Sequence, residues 1–174
     1  MKNFTKTMFA TLVCVTLVFT GCKKDDDGGM GSGLTEGNLT ATVNGNNFQS
    51  LEGTTAAQET NSGGVRVIAV SAGTINSENL QMIVQNFDGV GTYPLNLLNI
   101  GTYSYLPDPS NPDPNSVVIY STVNGTGNAG EINISSYSST NVQGTFSFTG
   151  YNINDPNDTS TVSNGSFNIA LTQN

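Results

Sequence analysis

Apolar and polar residues alternate with a period of two along most of the chain. From Val142 to Tyr151, Val142, Phe146 and Phe148 fall on one side, with Gln143, Thr145, Ser147 and Thr149 on the other. Leu80, Met82 and Val84 alternate with Gln81 and Gln85, and Ile132 with Ile134 and Phe167 with Ile169 and Leu171 repeat the pattern. Successive side chains of a strand point to opposite faces, so each stretch predicts a strand with one buried face. Val65 to Val70 and Val117 to Tyr120 are short apolar runs and predict more buried strands. Arg66 lies between Val65 and Val67, which leaves it either facing water or paired with a carboxylate on a neighbouring strand.

Turn formers separate these runs. Asn61-Ser62-Gly63-Gly64, Asn124-Gly125, Asn154 to Asp158 and Asn164-Gly165 each predict a turn. Leu39 to Val43, Asn44-Gly45 and Asn46 to Phe48 read as a hairpin, because Asn-Gly suits the two positive-φ positions of a type I′ turn. No window carries a 3.6-residue apolar stripe. Roughly eight to ten short strands therefore predict an all-β domain over residues 38–174, an antiparallel β-sandwich or barrel. Gly91-Thr92-Tyr93 and Gly101-Thr102-Tyr103 recur ten residues apart, as an internal repeat or as two similar strand entries.

The N-terminus follows a different pattern. Lys2 and Lys6 precede a short apolar run from Met8 to Phe19, which ends at Thr20-Gly21-Cys22. The run is too short for a comfortable bilayer span, and its order of charge, apolar stretch and small residues is that of a cleaved signal over residues 1–21. Small residues directly before a cysteine resemble the lipobox of bacterial lipoprotein signal peptides. That resemblance implies a diacylglycerol on the Cys22 thiol and an acyl chain, such as palmitate, on its amine after cleavage. Cys14 would leave with the signal, so the folded domain would hold no thiol, disulfide or Cys-ligated metal. Residues 22–37 read as a flexible acidic and Gly-rich tether. Within it, Lys24, Asp25, Asp26 and Asp27 resemble the export signal of Bacteroidota lipoproteins, which implies an outer-membrane protein exposed at the cell surface.

Composition narrows the chemistry. The 174 residues carry a formal charge of -8, with no histidine and no tryptophan. Such a surface repels phosphate backbones, so no nucleic-acid partner is expected. After Lys24 the only basic side chain is Arg66, which leaves no Ser-His-Asp, Ser-Lys or Cys-His arrangement. A carboxylate pair remains for hydrolysis, with Glu52, Glu59, Glu78 and Glu131 near strands, but no spacing singles out two of them. No catalytic residue and no metal ligand is assigned. Asp108 to Asn115 and Asn152 to Asp158 are dense in the hard oxygens that calcium prefers, although the same residues also form Asx turns without an ion.

The candidate ligand loop runs from Tyr103 to Asn115. Tyr103 and Tyr105 fall on one side of a strand directly before a proline-stiffened connection bearing Asp108, Asn111 and Asp113. Flat aromatic faces beside oxygen ligands suit a sugar or a calcium-assisted contact.

Thr40-Ala41-Thr42-Val43-Asn44-Gly45, Gly91-Thr92-Tyr93, Gly144-Thr145-Phe146-Ser147-Phe148 and Asn164-Gly165-Ser166-Phe167 occur in this order. Together they resemble the small Bacteroidota lipoproteins of the domain of unknown function 6252 family. The resemblance spans residues 38–173 and implies an anchored, single-domain, mostly β protein, with no catalytic residues to carry over. The expected function is a non-catalytic binding or accessory module held to the membrane through Cys22, with a glycan or protein partner. The alternatives are a structural envelope protein without a specific ligand and, last, a carboxylate-dependent hydrolase.

Overall fold

The alternating stretches form eleven strands in a computed structural model that describes residues 34–125 and 127–174. The signal peptide expected over residues 1–21, Cys22 and the Lys24, Asp25, Asp26 and Asp27 run lie outside the described residues. The strands are β1 (Asn38–Val43), β2 (Asn46–Gln49), β3 (Ala56–Ser62), β4 (Val65–Gly73), β5 (Glu78–Gln85), β6 (Gly91–Leu95), β7 (Ile100–Tyr105), β8 (Val118–Ser121), β9 (Gly130–Tyr137), β10 (Asn141–Asn152) and β11 (Thr159–Gln173). Among the described residues the helical elements are two single 3-10 turns, Pro114–Ser116 and Thr122–Asn124.

All eleven strands share one mostly antiparallel sheet, in the order β2-β1-β11-β3-β4-β5-β7-β8-β10-β9-β6, and β11 also pairs with β10. This extra pairing closes the sheet on itself. One edge of β11 follows β10 from Thr159 to Ala170; the other takes β1 over Val162–Asn168 and then β3, in parallel, over Leu171–Gln173. Likewise β10 pairs with β9 over Val142–Phe148 and then with β8 at Tyr151 and Asn152. The circuit β11-β3-β4-β5-β7-β8-β10 is thus a closed barrel, with β1-β2 and β9-β6 branching from it. Closure removes most of the unpaired strand edges that an open sheet would present.

Inward residues form one apolar core, which includes Leu39, Phe48, Ile68, Leu80, Met82, Ile132, Ile134, Phe146, Phe148, Phe167 and Ile169. The β1-β2 hairpin forms as its sequence predicts, with Asn44 at φ 49° and Gly45 at φ 84°. Asn164-Gly165 corrects the reading as a turn. The chain runs through it as a bulge within β11, with two residues opposite Ala41 on one side and Ser147 on the other. Asn164 takes φ 51°, and the inward positions change phase from Ser160 and Val162 to Gly165, Phe167, Ile169 and Leu171. A Cβ on Gly165 would meet the Phe146 ring at 2.6 Å, so glycine makes room for that ring.

Strand register places two groups of inward side chains at opposite ends of the barrel. Glu78 pairs with Tyr105 at one end of β5, while Gln85 lies level with Val67 at the other. Arg66 is in phase with the buried Ile68, Val70 and Ala72, so it faces inward, and Val65 and Val67 lie on the other face.

Candidate functional site

At the Arg66 end the polar groups satisfy one another. Arg66 Nε donates to Glu59 Oε1 at 2.8 Å, and its Nη2 lies 2.7 Å from the same oxygen. Nη2 also donates to the Tyr137 hydroxyl at 2.8 Å, which in turn donates to Glu59 Oε2. Gln173 Nε2 completes the carboxylate's shell at 3.0 Å. The guanidinium lies 5.2 Å from the Phe87 ring centroid and 5.6 Å from that of Tyr137, within cation-π range.

Glu59 is only 6% exposed. Its burial favours the neutral acid, yet hydrogen bonds from Tyr137, Arg66 and Gln173, with the Arg66 charge, outweigh this and hold the carboxyl below its ordinary 4.5. Strands β3, β4, β9 and β11 meet in this plug. The neighbouring-strand carboxylate anticipated for Arg66 is Glu59; Tyr137, 71 residues from Arg66 in sequence, carried no local signal.

The opposite end is open. A cleft of about 480 Å³ is lined by Glu78, Tyr103, Tyr105 and Tyr120, with amides from the β1-β2 hairpin and the β4-β5 turn on its rim. The three tyrosines come from adjacent strands and point inward, with Tyr103 ring centroids 5.9 Å from Tyr105 and 6.2 Å from Tyr120. Tyr103 is buried and donates to Glu78 Oε1 at 2.8 Å; Thr74 Oγ1 donates to Glu78 Oε2 at 3.0 Å. Tyr120 donates to Asp158 Oδ2 at 2.9 Å, and its phenol is pushed up to about 12, first by burial and then by that carboxylate. Burial, followed by Glu78, raises the Tyr103 phenol as well.

Tyr105 is half-buried and presents part of its ring to the cleft. Asn46, Asn47 and Asn76 are exposed on the rim, and among the described residues their side-chain amides make no hydrogen bond to the chain. Each amide therefore offers both a donor and an acceptor to a ligand. Asn44 differs, since its Oδ1 already accepts from Thr161 N at 2.8 Å.

The sequence grouped Tyr103 and Tyr105 with Asp108, Asn111 and Asp113. The structure brings the two tyrosines to the cleft, while the loop contributes Leu106, Pro107 and Pro109 to its wall. Asp108 instead accepts from Ser110 and Asn111 in an Asx turn, and its carboxyl is lowered first by the Ser110 hydroxyl. Asp113 caps the Pro114–Ser116 turn by accepting from Asn115 N. Among the described residues no three acidic or thiol side chains gather as a metal site. Glu36 and Glu52 are exposed beside a second cleft of about 520 Å³, whose lining holds no aromatic or aliphatic side chain against which a sugar ring could lie.

Leu34 to Gly37 are fastened to the domain ahead of β1. Gly37 N donates to Asn168 O at 2.8 Å, and Asn168 Nδ2 donates to Leu34 O at 2.9 Å. No curated protein and no solved structure matches this chain. The family model for the domain of unknown function DUF6252 matches residues 35–169, from the segment ahead of β1 into β11, and the chain belongs to that family.

Proposed function

We propose that this protein is a lipid-anchored outer-membrane lipoprotein, displayed at the cell surface, whose β domain binds a glycan without cleaving it. The observation that carries the binding reading is the cleft: a half-buried tyrosine face beside three exposed amides with unused hydrogen-bonding capacity. A sugar ring has apolar C–H faces and hydroxyls that both donate and accept. An aromatic wall with an amide rim complements both features. The Lys2, Lys6 and Cys22 pattern and the acidic run after it support the anchor and the surface address.

The test is a glycan array probed with the full-length protein in detergent, followed by titration calorimetry on the oligosaccharides retained. Tyr105→Ala is expected to weaken binding at least tenfold while leaving the melting temperature within a few degrees. Retention of no glycan would favour a structural envelope role, and release of new reducing ends would favour the hydrolase. Cys22→Ala is expected to abolish labelling by an alkynyl fatty acid and to release the protein from membranes. Replacing Asp25, Asp26 and Asp27 together by Asn is expected to protect it from protease added to intact cells.

A further inference from the structure

We infer that the cleft selects uncharged glycans and rejects uronates and sulfated or phosphorylated sugars, with Glu78 as the residue that sets this preference. The inference rests on the glycan-binding reading and concerns only which glycans are accepted.

Glu78 lies on the cleft wall, and both its oxygens are fixed by Tyr103 and Thr74. Asp158 stands behind Tyr120, held by that phenol at 2.9 Å and by Asn152 Nδ2 at 2.8 Å. Among the described residues no Lys or Arg lines the cleft. Arg66, the only basic side chain after Lys24, is bound to Glu59 at the far end of the barrel. A ligand carboxylate here would therefore meet like charge with no compensating cation. Like charges a few ångström apart in a partly enclosed site repel strongly enough to weaken binding roughly tenfold or more. Neutral hydroxyls fare differently. Glu78 can accept hydrogen bonds from them, and the rim amides can donate to or accept from them.

The experiment uses full-length protein in detergent and an array of cello-, malto-, manno- and galacto-oligosaccharides, each beside its C6-oxidised uronate. Retained pairs are titrated in low and high salt. The expected result is at least roughly tenfold preference for the neutral member, with the gap narrowing in high salt because screening weakens the repulsion while leaving neutral contacts in place. Glu78→Gln removes the charge at nearly constant shape and is expected to bring the neutral-to-acidic ratio towards one. Asp158→Asn is expected to move the ratio in the same direction by a smaller amount. Equal binding of both members, or an acidic preference, overturns the inference while the glycan reading stands. Binding of neither member in any pair removes the glycan reading itself. A salt-independent ratio in the unmodified protein would also reject electrostatic selection, whether or not Glu78→Gln folds.

Discussion

Arg66→Met isolates the charge that closes the plugged end of the barrel. Methionine keeps an apolar stem against Phe87 and Tyr137 but removes the guanidinium, so packing is largely conserved while both contacts to Glu59 Oε1 disappear. Glu59 then remains buried with Tyr137 and Gln173 as partners but no counter-charge. Removing one member of a fully buried ion pair costs about 3–5 kcal/mol. The Arg66 side chain is 31% exposed, so water screens part of the pair and the expected loss falls to about 2–3 kcal/mol. For a domain of this length that corresponds to a fall in Tm of roughly 6–12 °C.

The loss depends on pH in a direction fixed by the carboxyl. Its folded pKa is depressed, so its stabilisation is present above the ordinary 4.5 and disappears as pH falls through the lower folded value. Arg66→Met should therefore be most damaging at pH 7 and less damaging at pH 3, where the carboxyl lies closer to its protonated form. With no tryptophan to report unfolding, urea transitions of the full-length protein are followed by circular dichroism at both pH values. The double variant Glu59→Gln with Arg66→Met should recover part of the loss at pH 7, because the unpaired charge is gone. A penalty below about 0.5 kcal/mol at pH 7, within the range of an ordinary surface substitution, would refute the reasoning. Equal penalties at both pH values would do the same.

Gly165→Ala should destabilise by about 1–3 kcal/mol, since its Cβ would meet Phe146 at 2.6 Å and force that ring from its site; urea denaturation reads the change. Asp108→Ala should leave Tm unchanged by added calcium, as in the unmodified protein, because the Asp108 and Asp113 carboxylates already serve local turns; calorimetric scans with calcium and with chelator check this. In alkaline titration at 295 nm, at least two of the six tyrosines, Tyr103 and Tyr120, should remain neutral at pH 11 while the fold persists. Their raised phenols add stability that is complete below the ordinary value near 10 and is lost as pH rises through the folded values, so the domain should weaken over this interval.

The strands were legible where one face is buried and the chain stays in phase. Phe146 and Phe148 alternate with Thr145 and Ser147 for that reason, and the structure buries the two phenylalanines while leaving Thr145 and Ser147 exposed. At Asn164-Gly165 the same rule misleads, because a bulge and a hairpin turn both call for a residue at positive φ. The side of Phe146 that contacts Gly165 is decided by β10, not by the local sequence. Closure was not legible either. It depends on β11 exchanging one partner for another at Leu171, through a parallel pairing with β3 more than a hundred residues earlier.

The same distinction between local and distant signals explains the candidate site. Tyr103 and Tyr105 are two residues apart, so strand period alone puts them together. Glu78 and Tyr120 join them through the pairing of β5 and β8 with β7, which spacing does not reveal. Asp108 and Asp113 cap local turns, and spacing alone does not separate that role from cation binding, because both use the same oxygens. At the far end, Glu59, Arg66, Tyr137 and Gln173 consume one another's hydrogen bonds and leave little for a ligand. At the mouth, the exposed amides of Asn46, Asn47 and Asn76 retain that capacity beside a half-buried aromatic ring. A barrel needs only its interior filled to be stable. Polar capacity left over at one end is therefore where a ligand can add binding energy without breaking a contact that holds the fold together.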